Sequence, residues 1–299
     1  MRERLLTEVE NFPSAGQAPL REALLNPAFD GIIQAELAIH LAELLKISIH
    51  ELLLRLVPFA KLYASPPISQ FYVGAVVQAL SGKLYFGANF EFPGQALNAT
   101  IHAEQSAILY AWIRGEEGIH AIGVNGAPCG HCRQFMMELN EPSLTVVTPQ
   151  MSPQPLANLL PNAFTPTALG NPRGLMYPMR HELHFPSAAQ DELANSALAM
   201  ANRSYAPYSE NHAGVAVRLR SGQIFAAPYA ENVAFNPSVS PLQGVLIAMS
   251  MQSQPWDQVI DAVLVECIDP GCSQVPATRS LLATINQTTL RVATALSKH

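Results

Sequence analysis

The chain has 299 residues, 49% of them hydrophobic and 13% charged, with a formal net charge of −6 at pH 7. That length suits two domains plus extensions, and the acidic balance lacks the basic stripe that grips phosphate backbones, so no nucleic-acid partner is expected. Four cysteines, Cys129, Cys132, Cys267 and Cys272, are too few for a disulfide scaffold, and with no signal-like run at the N-terminus and no stretch near about 20 apolar residues the expectation is a cytoplasmic protein without a membrane partner.

Residues 1–48 read as an N-terminal helical segment. Ile32, Ile33, Leu37, Ile39, Leu41 and Leu44 recur at mostly helical spacing after an Asp30-Gly31 turn. A further helix from Ile47 is predicted to stop at Pro58, where the missing N–H interrupts the ladder. Phe71 to Leu80 reads as a strand, Ser81-Gly82 as a hairpin turn and Lys83 to Asn89 as the returning strand. Asn98 and Thr100 offer capping groups to a helix with Ile101, Ile108, Leu109 and Trp112 on its periodic positions. Ala121–Asn125 is a short buried strand. Pro128 opens a helix containing Phe135, Met136 and Leu139, and Leu144–Thr148 is another strand. Strand–strand–helix–strand–helix–strand makes residues 49–150 one α/β layered unit.

Residues 151–186 form a Pro-rich linker, with Pro153, Pro155, Pro161, Pro166 and Pro172. A connection of that length is usually functional or wraps a neighbour. A helix resumes near Asp191, within a second unit spanning 187–299. That unit reads as a worn copy of the first. Ser69, Gly74, Ser81, Gly82 and Glu91 find the same residue 140 positions on, at Ser209, Gly214, Ser221, Gly222 and Glu231.

Two strings carry chemistry: His102-Ala-Glu104 and Pro128-Cys129-Gly-His-Cys132. Two cysteines three apart at a helix start share one face of the first turn. The positive helix end favours their thiolates. With His102 they supply three ligands for tetrahedral zinc and leave the fourth position to water, the mark of a catalytic site. Zinc lowers the pKa of that water to about 7, so hydroxide serves as nucleophile. Glu104 lies about 200° around a helix from His102. It is placed to move protons between water, ring and leaving group, not to bind the metal. A purely structural zinc clip would need a fourth ligand, His131 or His120. Cys267 and Cys272, five apart with no partner histidine motif, read as buried thiols.

H-x-E followed by P-C-x-x-C is the signature of zinc-dependent nucleobase deaminases. On these residues the chain resembles cytidine deaminases of the long bacterial type, over nearly its whole length. The resemblance implies a three-layer α/β/α unit with a mixed sheet, present twice with the second copy degenerate, behind the N-terminal helical segment. It implies one Zn2+ per chain and a homodimer acting in pyrimidine salvage. In that family an Asn and a Glu just before the His-Ala-Glu helix bind the ribose 3′-hydroxyl, and Asn89 and Glu91 stand there. The pair, two apart on a strand, would share a face and can both give and accept hydrogen bonds. Phe71 matches an aromatic that packs on the pyrimidine, although a core aromatic would read the same way. The backbone at Ala103 and Ala127 matches the part that reads the base edge; Ala127 stands where Ser or Thr is often found. Phe164 matches a linker aromatic that reaches a neighbouring subunit's site.

The second copy reads Ser240-Pro-Leu-Gln-Gly244 where the ligand motif should recur. Pro241 or Leu242 replaces the ligand, Gln243 or Gly244 replaces the acid, and no C-x-x-C follows. The expected function is hydrolytic deamination of cytidine and deoxycytidine to uridine and deoxyuridine, with release of ammonia. The competing readings are a deaminase for another small heterocycle and a zinc-stabilised scaffold with a closed metal site.

Overall fold

In the computed structural model, which describes residues 1–186, 191–268 and 270–297, the N-terminal segment folds as α1 (Arg2–Val9), α2 (Ser14–Leu25), the short strand β1 (Ile32–Ile33) and α3 (Ala35–Leu45). α4 (Ile49–Lys61) starts at a capping box made by Ser48 and Glu51. It continues past Pro58 instead of stopping there. Pro58 faces solvent, where water can serve the carbonyl it frees, while buried Val57, Phe59 and Ala60 hold the last turn against the core.

The first unit continues with β2 (Gly74–Ala79), β3 (Leu84–Ala88), α5 (Ala103–Ile113), β4 (Ile119–Val124), α6 (Gly130–Met137) and β5 (Thr145–Thr148). The Pro-rich linker supplies β6 (Met151–Pro155), the turn α7 (Leu156–Leu159) and β7 (Leu183–His184). The second unit holds α8 (Glu192–Ala201), β8 (Gly214–Leu219), β9 (Ile224–Pro228), α9 (Pro241–Met251), β10 (Val259–Cys267), α10 (Val275–Ile285) and β11 (Leu290–Ser297). The expected boundary at 187 lies outside the described residues.

Two mixed sheets result, ordered β1-β3-β2-β4-β5-β6 and β7-β11-β10-β8-β9. Within the two sheets, only β4–β5 and β10–β11 run parallel among the described strand pairs. The linker is therefore not merely a connection: it gives an edge strand to each sheet. Pro153 and Pro155 suit such an edge, since a proline has no N–H for a further neighbour.

Helices cover both faces of the first sheet. At Gly74 a Cβ would lie 2.5 Å from the Lys61 amide of α4, whereas at Gly87, on the opposite face, it would lie 2.2 Å from the Ala107 amide of α5. Only glycine allows either approach, and the outcome is the expected α/β/α layering. Gly214 admits α8 in the same way, with Ala201 N 2.4 Å from the Cβ position.

The two units meet about an internal pseudo-twofold. Gln105 of α5 donates to Pro237 O at 3.1 Å, and Gln243 of α9 donates to Ala99 O at 2.8 Å. Each residue corresponds to one 138 positions on, whereas the strands correspond at 140. The second copy thus lacks two residues between Glu231 and Pro237. This corrects the sequence register: Ser240 stands at the place of His102, and Leu242 at that of Glu104.

Candidate active site

Two helix starts converge at the site. His102 is the N-cap of α5 and Cys129 the N-cap of α6. Asn98 and Thr100 do not cap α5. They belong to a short 3-10 turn just before it, and the Gln105 side chain instead accepts from His102 N at 3.2 Å. Cys129 Sγ lies 3.6 Å from His102 Nδ1 and 3.6 Å from Cys132 Sγ, and the three donor atoms all lie within 4.8 Å of one another. Tetrahedral zinc with ordinary Zn–S and Zn–N bonds has ligand–ligand edges of roughly 3.5–3.8 Å, and the two edges at Cys129 match that ion. Among the described residues no other cluster of His, Cys, Asp and Glu gathers this tightly. His131 stacks on His102 with ring centroids 5.1 Å apart, and His120 is exposed on β4. Neither joins the trio, which leaves a structural clip without its fourth ligand. The expectation of two further buried thiols fails at Cys272, which is exposed, while Cys267 is half-buried.

Charge is concentrated at the cap of α6. Cys129 is drawn down to about 3, first by the Cys132 contact and then by His102. Cys132 is pushed up, first by Cys129 and then by burial. His102 is raised, mainly by that sulfur. Glu104 is buried beside them, and the burial raises its carboxyl despite bonds from its own amide and from Cys132.

His102, Glu104 and Cys129 line a pocket of about 610 Å³. Phe71, Asn89, Glu91, Ala103 and Ala127 also line it. Phe71 lies before β2, not within it, and is 67% exposed, which removes the reading of a core aromatic. Asn89 and Glu91 follow the end of β3, flanking a Phe90 bridged to Ser65 and Ile101. Glu91 accepts from Ile68 N at 2.8 Å, Ser69 N at 2.9 Å and the Ser69 hydroxyl. Burial alone would raise this carboxyl, but the three donors together hold it low. Phe164 does not line the pocket of its own chain; it is half-exposed, and its carbonyl accepts from Gln134 Nε2 at 2.7 Å. A larger open cleft, about 810 Å³ between the linker and α8, shares no residue with the metal trio.

Asn125 and Gln150 also line the pocket, and no sequence motif marks either of them. Asn89 accepts from Val73 N at 2.9 Å and donates to Phe71 O at 2.8 Å, while Asn125 accepts from Gly74 N at 3.0 Å and donates to Tyr72 O at 3.4 Å. The two amides thus grip consecutive residues of the arm that bears Phe71.

Two models, each described as the cytidine and deoxycytidylate deaminase zinc-binding region, match the chain, one over residues 47–148 and the other over 156–279. The chain belongs to the cytidine and deoxycytidylate deaminase family. It is similar to a cytidine deaminase of Vibrio atlanticus (strain LGP32), 42% identical over 96% of this chain and 97% of that protein. It is also similar to a cytidine deaminase of Shewanella loihica, 45% identical over 87% of each. A solved cytidine deaminase from Burkholderia pseudomallei matches 38% of this chain and 98% of its own at 33% identity, with a TM-score of 0.35. Zinc is the metal of this family's binding region, and His102, Cys129 and Cys132 are the residues here that can hold it. The second match covers a unit with Ser240 and Leu242 at the corresponding positions and no ligand cluster among its described residues. No described helix is long and apolar enough to cross a membrane.

Proposed function

We propose that this chain deaminates cytidine and deoxycytidine hydrolytically, giving uridine and deoxyuridine with release of ammonia. The observation that carries the reading is one pocket lined by His102, Cys129, Glu104 and the Glu91 carboxylate, with buried Cys132 completing the metal trio behind it. Bound zinc supplies the Lewis acidity that makes water a nucleophile at neutral pH. Glu104 takes a proton from the attacking water and passes it to N3 of the ring. Once the C4–O bond has formed, it carries the second proton from the hydroxyl on C4 to the amino group, so that the C4–N bond breaks, the carbonyl forms and ammonia leaves. Burial supports this assignment, because a raised carboxyl can hold a proton between transfers.

Glu91, held ionised by its three donors, accepts the ribose 3′-hydroxyl. Asn89 spends one N–H and one lone pair on the arm and keeps one of each for the sugar. Phe71 packs on the pyrimidine, and the backbone at Ala103 and Ala127 reads the base edge. The chain works as a homodimer in which Phe164 serves a neighbouring subunit's pocket. Its exposure, together with that of Ile68, Phe71 and Leu97 near the pocket, supports a covering partner. The reaction belongs to pyrimidine salvage.

Turnover of cytidine, deoxycytidine, cytidine 5′-monophosphate and adenosine should be compared by ultraviolet absorbance. The two cytosine nucleosides should be consumed and the other two left. Preferential turnover of the monophosphate would move the assignment to a nucleotide deaminase.

A further inference from the structure

We infer that Glu138 is a positioning residue for the metal site: it ties the helix bearing Cys129 and Cys132 to the degenerate second unit. Glu138 follows α6 as its C-cap, six residues after Cys132, and is fully buried at 0% exposure. Its Oε1 accepts from the Tyr205 hydroxyl at 2.6 Å and from the Tyr208 hydroxyl, and its Oε2 accepts from Val233 N at 2.7 Å. All three donors belong to the second unit. One turn back along α6, Gln134 O accepts from Asn232 Nδ2 at 3.1 Å. The Glu138 carbonyl also accepts from Leu175 N of the linker at 2.7 Å.

A buried carboxyl is costly to place and must repay that in geometry. Three donors from two separate segments fix its position in space. α6 is an eight-residue helix, about 12 Å long at 1.5 Å per residue, so a tilt of roughly 5° at its far end moves the sulfur end by about 1 Å. That is enough to spoil a coordination sphere whose bond lengths vary by a few tenths of an ångström.

The same network explains what the second copy has retained. Glu231 accepts from Tyr208 N at 2.8 Å, from Ser209 N at 3.2 Å and from the Ser209 hydroxyl. This repeats the Glu91 cradle with no ligand trio beside it. Here the cradle holds Tyr208, and Tyr208 holds Glu138. The second unit therefore serves the metal site of the first through its own worn-down pocket.

The inference rests on His102, Cys129 and Cys132 being the ligands, and its test keeps the two claims apart. Zinc release from the loaded full chain to a chromophoric chelator is timed for wild type, Glu138→Gln, Tyr208→Phe and the double variant. Melting temperature, kcat and KM for cytidine are recorded alongside. Each single change should speed release about tenfold. The double variant should release no faster than the faster single, and kcat should fall while KM stays near wild type. Val263→Ala, in the second unit's own core, should lower the melting temperature without changing release. Should Glu138→Gln not fold, Tyr208→Phe against Val263→Ala decides the matter. Wild-type release in both tyrosine and glutamate variants overturns the inference, as does equal acceleration by Val263→Ala at equal loss of melting temperature. A wild-type chain that retains no zinc overturns the ligand assignment and this inference with it.

Discussion

Glu104 and Glu91 are two carboxylates of one pocket that the fold treats in opposite ways. Glu104 is raised by burial, and Glu91 is held low by the Ser69 and Ile68 donors. That separation suits one to proton transfer and the other to binding. Glu104→Gln should keep the fold and the zinc yet lower kcat by about 10²–10⁴-fold, checked by metal content together with the absorbance assay; near-normal turnover would remove Glu104 from the proton path. Glu91→Gln should raise KM for cytidine about tenfold, the loss of roughly one charge-assisted hydrogen bond, with a smaller change in kcat by steady-state kinetics. His102, Glu104, Cys129 and Cys132 were legible because their chemistry depends on short local spacings. Asn125 was not, because it acts on Gly74 and Tyr72, which only the β2–β4 pairing brings within its reach.

Among elements, the periodic ones were readable and the borrowed ones were not. α5 and α6 follow from apolar spacing, although His102 and not Asn98 or Thr100 caps α5, whereas β1 and β7 are two-residue strands and β6 contains two prolines. Such strands have no period of their own and exist only because a sheet edge is waiting for them. The loop leading into β8 carries a pH-sensitive group that the motifs did not announce. The His212 ring stacks on His181 with centroids 3.5 Å apart, and its Nδ1 lies 3.1 Å from the Ser204 hydroxyl. Burial, and then His181, pull His212 down to about 4. A depressed histidine contributes stability that is present above its unfolded value of about 6.5 and is lost as pH falls through its folded value. The full displacement is worth about 3 kcal/mol before solvent screening reduces it. The urea midpoint should therefore fall between pH 6.5 and 4, and His212→Gln should flatten that slope. An unchanged slope would show that His212 is not the group responsible.

At the scale of the whole molecule, one chain holds two copies of a layered unit and, among its described residues, one metal trio. The duplication was visible at the offset of 140, but the two-residue deletion was not. It falls in a loop, and only the reciprocal Gln105 and Gln243 bonds reveal the register beyond it. The units depend on each other for burial. From Ala103 to Trp112 every residue of α5 is buried, and α9 packs against it. A helix buried on all sides cannot stand at a surface, so a chain ending before α8 should aggregate or lose its fold, as size-exclusion chromatography and circular dichroism would show. The most direct test of a single working centre is to titrate zinc into metal-free chain while following the loss of cytidine absorbance. Activity is expected to rise linearly and level off at one equivalent of zinc per chain. A plateau at two equivalents, or zinc uptake with no loss of cytidine, would contradict it.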